Sequence, residues 1–285
     1  MSQNVAWKNV TIANNFMFRV VMDKEETCKP LLEMILNTRI KTLRYINGEQ
    51  SIEVVLKKKG IRLDIFAIGE DGTAYDIEMQ VDARYKADLG KRSRYYAALR
   101  DMTALKKGKS YKHLRKNYVI FICTFDPFDT GRGIYTFQET CQEDKKLILQ
   151  DDAARIFINV HGDKTGMSEG LANFTDYVAT GKVADDYTRK IDEIVEVHRN
   201  DDRLEDMYMF YNQDWLIAKE EAKAEGREEG RAEGKAEGEE KGRWESAKEI
   251  ALNLYKEKMP VEMIAKVTKL TIQQVKDLVG KAAVL

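Results

Sequence analysis

The sequence is short of cysteine, of long apolar runs and of net charge. Cys28, Cys123 and Cys141 are its three thiols in 285 residues, and none stands in CxxC spacing. That argues against a disulfide framework and for a reduced, cytoplasmic setting, with three buried thiols as the plain reading. No apolar stretch approaches the length of a membrane span. The opening residues, MSQNVAWKNV, lack a basic n-region and an apolar h-region, so a soluble protein with no membrane partner is expected. Lys and Arg number 47 against 48 Asp and Glu, so the net charge of −1 says nothing about partners. Only the distribution of charge can. What the chain does have is a hydrophobic content of 43%, enough for one sizeable core domain plus appendages.

The most informative stretch is Ile61 to Val81, IRLDIFAIGEDGTAYDIEMQV. Two segments of period two flank a turn around Asp71-Gly72, which is a hairpin signal. A two-residue Asp71-Gly72 loop would pair Asp64 with Met79 and put Glu78 on the opposite face. A three-residue loop, Glu70-Asp71-Gly72, pairs Gly69 with Thr73, Asp64 with Glu78 and Arg62 with Gln80. The second is expected, because it places Gly72 where a positive φ is needed. Directly opposed side chains have Cβ atoms ~5 Å apart, and like charges there destabilise the ribbon. A divalent cation removes that penalty, since Mg²⁺ is held by one or two carboxylates plus waters. The plain alternative is that Asp64, Asp76, Glu78 and Gln80 are the wet face of an antiparallel sheet.

Before the hairpin, Phe16, Phe18, Val20 and Val21 begin the core. Thr27 to Asn37 reads as a helix with Thr27 as cap and Pro30 in its first turn. Apolar residues fill most of its circumference, so Glu33 must be paired, protonated, metal-bound or at the rim. Ile40–Tyr45 and Ser51–Leu56 read as strands. The period turns helical from Ala83 to about Lys107. Tyr118–Phe125 is an uninterrupted apolar run, hence a strand buried on both faces, and Phe157–Val160 is another strand. This order predicts an α/β core with a mixed central sheet flanked by helices over residues 1–165. Helices are expected at 171–179, 187–197 and 203–219, making an all-helical extension over 166–220. Residues 221–245 carry Gly226, Gly230, Gly234, Gly238 and Gly242 in a run of Ala, Glu, Lys and Arg. Each Gly costs ~1 kcal/mol against Ala in a helix, so this is either a charged linker or a helix that self-associates. Residues 246–285 regain apolar periodicity with Thr271 as a cap, resembling a helix-turn-helix, although Lys269 stands where such turns favour Gly.

The charge is unevenly spread. Between Arg84 and Lys116 lie twelve Arg or Lys and only Asp88 and Asp101, with Tyr85, Tyr95, Tyr96 and Tyr111 interleaved. Such a basic segment beside two metal-competent carboxylates fits a polyanion laid over the site.

The chain resembles the Rpn family of recombination-promoting nucleases and transposases, within the PD-(D/E)XK superfamily. The resemblance rests on Phe16-x-Phe18-Arg19, Arg62-Leu63-Asp64, Ile77-Glu78-Met79-Gln80, Arg92-Ser93-x-Tyr95-Tyr96, Tyr208-Met209 and the Gly-period-four repeat before a small helical tail. It implies a restriction-endonuclease-like core and a Mg²⁺-dependent DNA endonuclease tied to recombination or a mobile element. It also implies metal ligands at Asp64, Glu78 and the Met79 carbonyl, with Glu33 as the helix-borne carboxylate. Gln80 stands in place of the superfamily's Lys and would orient the attacking water. Asn14-Asn15 stands where an Asp is expected. Arg84, Lys91, Arg92, Arg94 and Tyr95 would contact nucleic acid, and the C-terminal helical region would join copies of the chain. Two other classes stay open: a DNA-binding oligomeric protein with a decayed site, and an RNA nuclease of the same fold.

Overall fold

The computed structural model describes residues 6–45, 64–105 and 107–282. The expected strand at 51–56 and Arg62 lie outside the described residues. The strands are β1 (Leu43–Tyr45), β2 (Ile65–Gly69), β3 (Ala74–Gln80), β4 (Asn117–Cys123), β5 (Ile134–Phe137) and β6 (Ala153–Asn159). They form one sheet in the order β1-β2-β3-β4-β6-β5. The β3–β4 and β4–β6 pairs are parallel and the others antiparallel. The expected α/β core with a mixed sheet is therefore present. The helices are α1 (Asn15–Met22), α2 (Glu25–Leu36), α3 (Leu89–Ala104), α4 (Glu169–Thr180), α5 (Asp186–Arg199), α6 (Asp202–Lys256), α7 (Val261–Thr268) and α8 (Ile272–Ala282).

The chain divides into two compact units, 1–211 and 212–285. In the first, Ile65, Ala67, Ile77, Met79, Ile120, Ile122, Ile156 and Ile158 of the sheet pack in one core with residues of α1, α2, α4 and α5. Helices α4 and α5 thus belong to the sheet's own core, where sequence had set them apart as an extension. Their apolar stripe (Leu171, Phe174, Tyr177, Val178, Ile191, Val195) is buried there. On the other face Val119, Phe121, Cys123 and Phe157 pack with Leu89 and Tyr96 of α3. Parallel β3 and β4 need a crossover, and α3 lies in it. Burial pushes the Cys123 thiol up to about 12, so it is a protonated core residue.

Local chemistry explains where sequence and structure differ. Helix α2 begins two residues before Thr27, which does not cap it. The Thr27 hydroxyl is buried and donates to the Val21 carbonyl at 2.6 Å, so Pro30 sits inside the helix rather than in its first turn. Asn14 caps α1, its Oδ1 accepting from Phe16 N at 2.9 Å and Met17 N at 3.2 Å. The expected helix from Ala83 opens as a 3₁₀ turn, Ala83–Asp88, before α3 begins. Strand β5, four residues with two exposed, was not anticipated.

In the second unit the Gly-bearing segment is helical, within the 55 residues of α6. A Cβ placed on Gly226, Gly230, Gly234, Gly238 or Gly242 would meet nothing within 4 Å. Ala251 of α6 packs with Ile264, Ala265, Val275 and Val279 of α7 and α8. Lys269 occupies the left-handed turn at φ 59°, the conformation Gly would adopt without strain. Thr271 caps α8 reciprocally with Gln274, as expected: Gln274 N donates to Thr271 Oγ1 at 3.1 Å and Thr271 N to Gln274 Oε1 at 2.8 Å.

Candidate active site

The hairpin takes the three-residue loop. Gly69 N donates to Thr73 O at 2.8 Å, Gly72 has φ +86°, and the Asp71 carboxylate accepts from Thr73 N at 3.0 Å. The register runs Ile68↔Ala74, Ala67↔Tyr75, Phe66↔Asp76, Ile65↔Ile77, so the next position opposes Asp64 to Glu78. Antiparallel pairs alternate between hydrogen-bonded and non-hydrogen-bonded types. With Gly69–Thr73 bonded, Asp64–Glu78 falls on the non-bonded type, where side chains come closest. The two are cross-linked through backbone: Asp64 N donates to Glu78 Oε1 at 3.1 Å and Met79 N to Asp64 Oδ2 at 2.8 Å. Because one residue's N–H and C=O point to the same side of a strand, the Met79 carbonyl faces the Asp64 side as well.

Alternation along β3 sends Tyr75, Ile77 and Met79 into the main core and turns Asp76, Glu78 and Gln80 toward α3. These three are only 1%, 3% and 8% exposed, so they are not a wet face. Burial first, then the charges of Asp64 and Asp76, raises the Glu78 carboxyl well above its ordinary range. Burial also pushes Asp76 up to about 7, against the pull of Arg100 and with the push of Asp64.

Helix α3 answers this face with a stripe at i, i+4 and i+8: Arg92, Tyr96 and Arg100. Four helical residues rise about 6 Å and two strand residues about 6.6 Å, so the stripe stays in step with Gln80, Glu78 and Asp76. Arg92 Nη1 donates to Gln80 Oε1 at 2.6 Å, Nη2 donates to Tyr96 OH at 3.1 Å, and Nη2 lies 3.7 Å from Glu78 Oε2. Burial, then the Glu78 charge, pushes the Tyr96 hydroxyl up to about 12. Arg100 stands 3.3 Å over the Phe66 ring, and its burial outweighs the attraction of Asp76 and Glu78 to lower its pKa.

The other expected residues divide. Lys91, Arg94 and Tyr95 are exposed on α3, and Arg84 is exposed and paired with Asp82. Arg92 points inward instead. Glu33 is not brought to the carboxylate pair. It lies on α2, whose buried residues join the core of the opposite sheet face, and its Oε1 accepts from Ile40 N at 2.8 Å while Arg39 lies 3.9 Å away. It closes the turn after α2. Asp76, Tyr96 and Arg100 were missed as members of the site, although the 92/96/100 spacing was readable.

A profile of PD-(D/E)XK nuclease family transposases matches residues 12–170. The chain belongs to that family. The match runs from the residues before α1 to the start of α4, and so includes the whole sheet of this PD-(D/E)XK protein. No curated protein and no solved structure matches the chain.

Whether these residues suit a divalent metal is decided by their chemistry. Asp64, Glu78 and the Met79 carbonyl offer hard oxygens, and a cation would offset the repulsion between Asp64 and the buried Glu78. Among the described residues no group of three or more His, Cys, Asp or Glu is arranged around a metal position. Two carboxylates with the rest of the shell from water is a Mg²⁺-type donor set, not a Zn²⁺ cage. The residues fit Mg²⁺. No described helix is long and apolar enough to cross a membrane.

Proposed function

We propose that this PD-(D/E)XK family protein is a Mg²⁺-dependent DNA endonuclease acting in recombination or on a mobile element. The observation that carries the reading is the direct opposition of Asp64 and Glu78 on one hairpin, beneath a basic helix. Asp64, Glu78 and the Met79 carbonyl would hold the ion. When bound, Mg²⁺ lowers the pKa of a water and offsets charge on phosphoryl oxygens. Gln80 has its Oε1 engaged by Arg92 and therefore presents its Nε2, now 3.3 Å from the Met79 carbonyl, as a donor to an attacking water or a phosphoryl oxygen. An amide is no base, so the proton leaves to solvent or substrate oxygen rather than to Gln80. Lys91, Arg94 and Arg84 would contact backbone phosphates, which fixes position without reading sequence, and Tyr95 offers a stacking face. Glu33 is left out of this proposal, because its carboxylate is engaged by Ile40 N. Self-association through the C-terminal helices completes the proposal.

Plasmid nicking tests it: supercoiled DNA with Mg²⁺ is expected to be cut, and EDTA or Asp64→Ala to abolish cutting. DNA retention without cutting at any metal concentration would leave a binding protein with a decayed site. Preferential cleavage of RNA would transfer the same chemistry to the other substrate.

A further inference from the structure

The PD-(D/E)XK residue that normally brings positive charge beside the metal carboxylates is here Gln80, which brings none. Arg92 ends where that charge is missing. Its guanidinium spans Gln80 Oε1 at 2.6 Å and Tyr96 OH at 3.1 Å, with Glu78 Oε2 3.7 Å away. The group is also clamped from the apolar side. Its carbon Cζ lies 5.6 Å from the centroid of the Tyr96 ring and 5.4 Å from that of Phe121, and the side chain is 29% exposed. A flexible phosphate clamp on the outside of α3 would look like Lys91 or Arg94, both exposed. Arg92 is instead tied down from three sides, and an Arg cannot lose its proton here.

Two consequences follow from this geometry. With Oε1 accepting from Arg92, the Gln80 amide cannot flip, so Nε2 is the end turned toward the Met79 carbonyl. The guanidinium also places a full positive charge close to Glu78, which opposes metal binding while favouring negative charge that develops on a phosphoryl group. We infer that Arg92 is a positioning residue that acts through Gln80, fixing its amide as a donor and lending from α3 the positive charge that β3 lacks. This rests on the Mg²⁺-nuclease reading above.

The assignment predicts a split that loss of packing would not produce. In Arg92→Gln, single-turnover cutting at saturating Mg²⁺ is expected to fall about 100-fold, the cost of losing one preorganised transition-state donor. Mg²⁺ affinity without DNA, measured by calorimetry, is expected to rise by up to about tenfold, since a nearby cation has been removed. Arg92→Lys, which keeps the charge, should recover part of the cutting. The double variant Gln80→Lys with Arg92→Gln, which returns the charge to the strand, should cut better than Arg92→Gln alone. If Arg92→Gln weakens both cutting and Mg²⁺ binding, or changes neither, or if the double variant cuts no better, the assignment is wrong while the nuclease reading stands. A wild-type protein that neither binds Mg²⁺ nor cuts would overturn both.

Discussion

Replacing Glu78 by Gln should abolish cutting and yet make the metal-free protein more stable. Wild-type Glu78 is 3% exposed, opposes Asp64 and has Asp76 two residues away on the same face. Two unit charges ~5 Å apart repel by roughly 3 kcal/mol at the effective dielectric suited to protein sites. Gln keeps an oxygen for the Asp64 N–H but gives up the attraction of Arg92, so the net gain is about 1–2 kcal/mol. For a unit of this size that is a rise in melting temperature of roughly 2–8 °C. The pH dependence follows from the raised Glu78 pKa. Below the unfolded-state value both states carry the proton and no penalty exists. As pH rises toward the folded value, the native state is increasingly penalised and stability is lost. The advantage of Glu78→Gln should therefore be present at pH 8 and vanish near pH 4. Calorimetry in EDTA and in Mg²⁺ reads both effects. Mg²⁺ should stabilise the wild type by mass action, but barely affect the variant. A variant less stable than wild type at pH 8 in EDTA, or one that Mg²⁺ stabilises equally, would refute the reasoning.

Asp76→Asn should likewise raise metal-free stability at pH 8 more than at pH 5, because Asp76 titrates near 7 in the folded state, and urea unfolding at the two pH values checks it. Gly72→Val should destabilise the hairpin by about 1–3 kcal/mol, since its φ is +86° and an added Cβ meets Arg115 Cγ at 3.0 Å; the melting temperature reports it. Lys91→Ala and Arg94→Ala should each weaken DNA binding uniformly across sequences. Each should also flatten the log–log salt dependence by about 0.9, measured by fluorescence anisotropy in Ca²⁺ or EDTA. Gly234→Ala should raise helicity by circular dichroism, with up to ~1 kcal/mol gained. If the glycines pack a second copy, it should also lower the mass seen by light scattering.

The hairpin was the most legible part of the sequence because register there follows from arithmetic. Once Gly72 is assigned the left-handed position, every partner down to Asp64 and Glu78 is fixed. Strand β4 was equally plain from its continuous apolar run. Burial of the charged face was not legible. Period two says that Asp76, Glu78 and Gln80 share a side, but only α3 lying over them makes that side dry. Arg100 reads as a surface residue until Phe66 is found beneath it. Glu33 misled for the opposite reason. A lone carboxylate on an apolar helix does demand a partner, and a backbone N–H seven residues on satisfies that demand as well as an ion would. The C-terminal helices divided differently because a 3.6-residue period announces an amphipathic helix, but not which core receives it.

Beyond the Ile65↔Ile77 pair, side chains of Asp64 and Glu78 add their own bonds to the hairpin. The Asp64 carboxylate receives the Met79 amide, while its own amide is received by Glu78. The carboxylate pair proposed to hold the ion therefore also stitches Asp64 to the strand opposite. An alanine at 64 removes that stitch along with a proposed ligand, whereas an asparagine keeps an oxygen for the Met79 amide, so comparing the two separates architecture from chemistry.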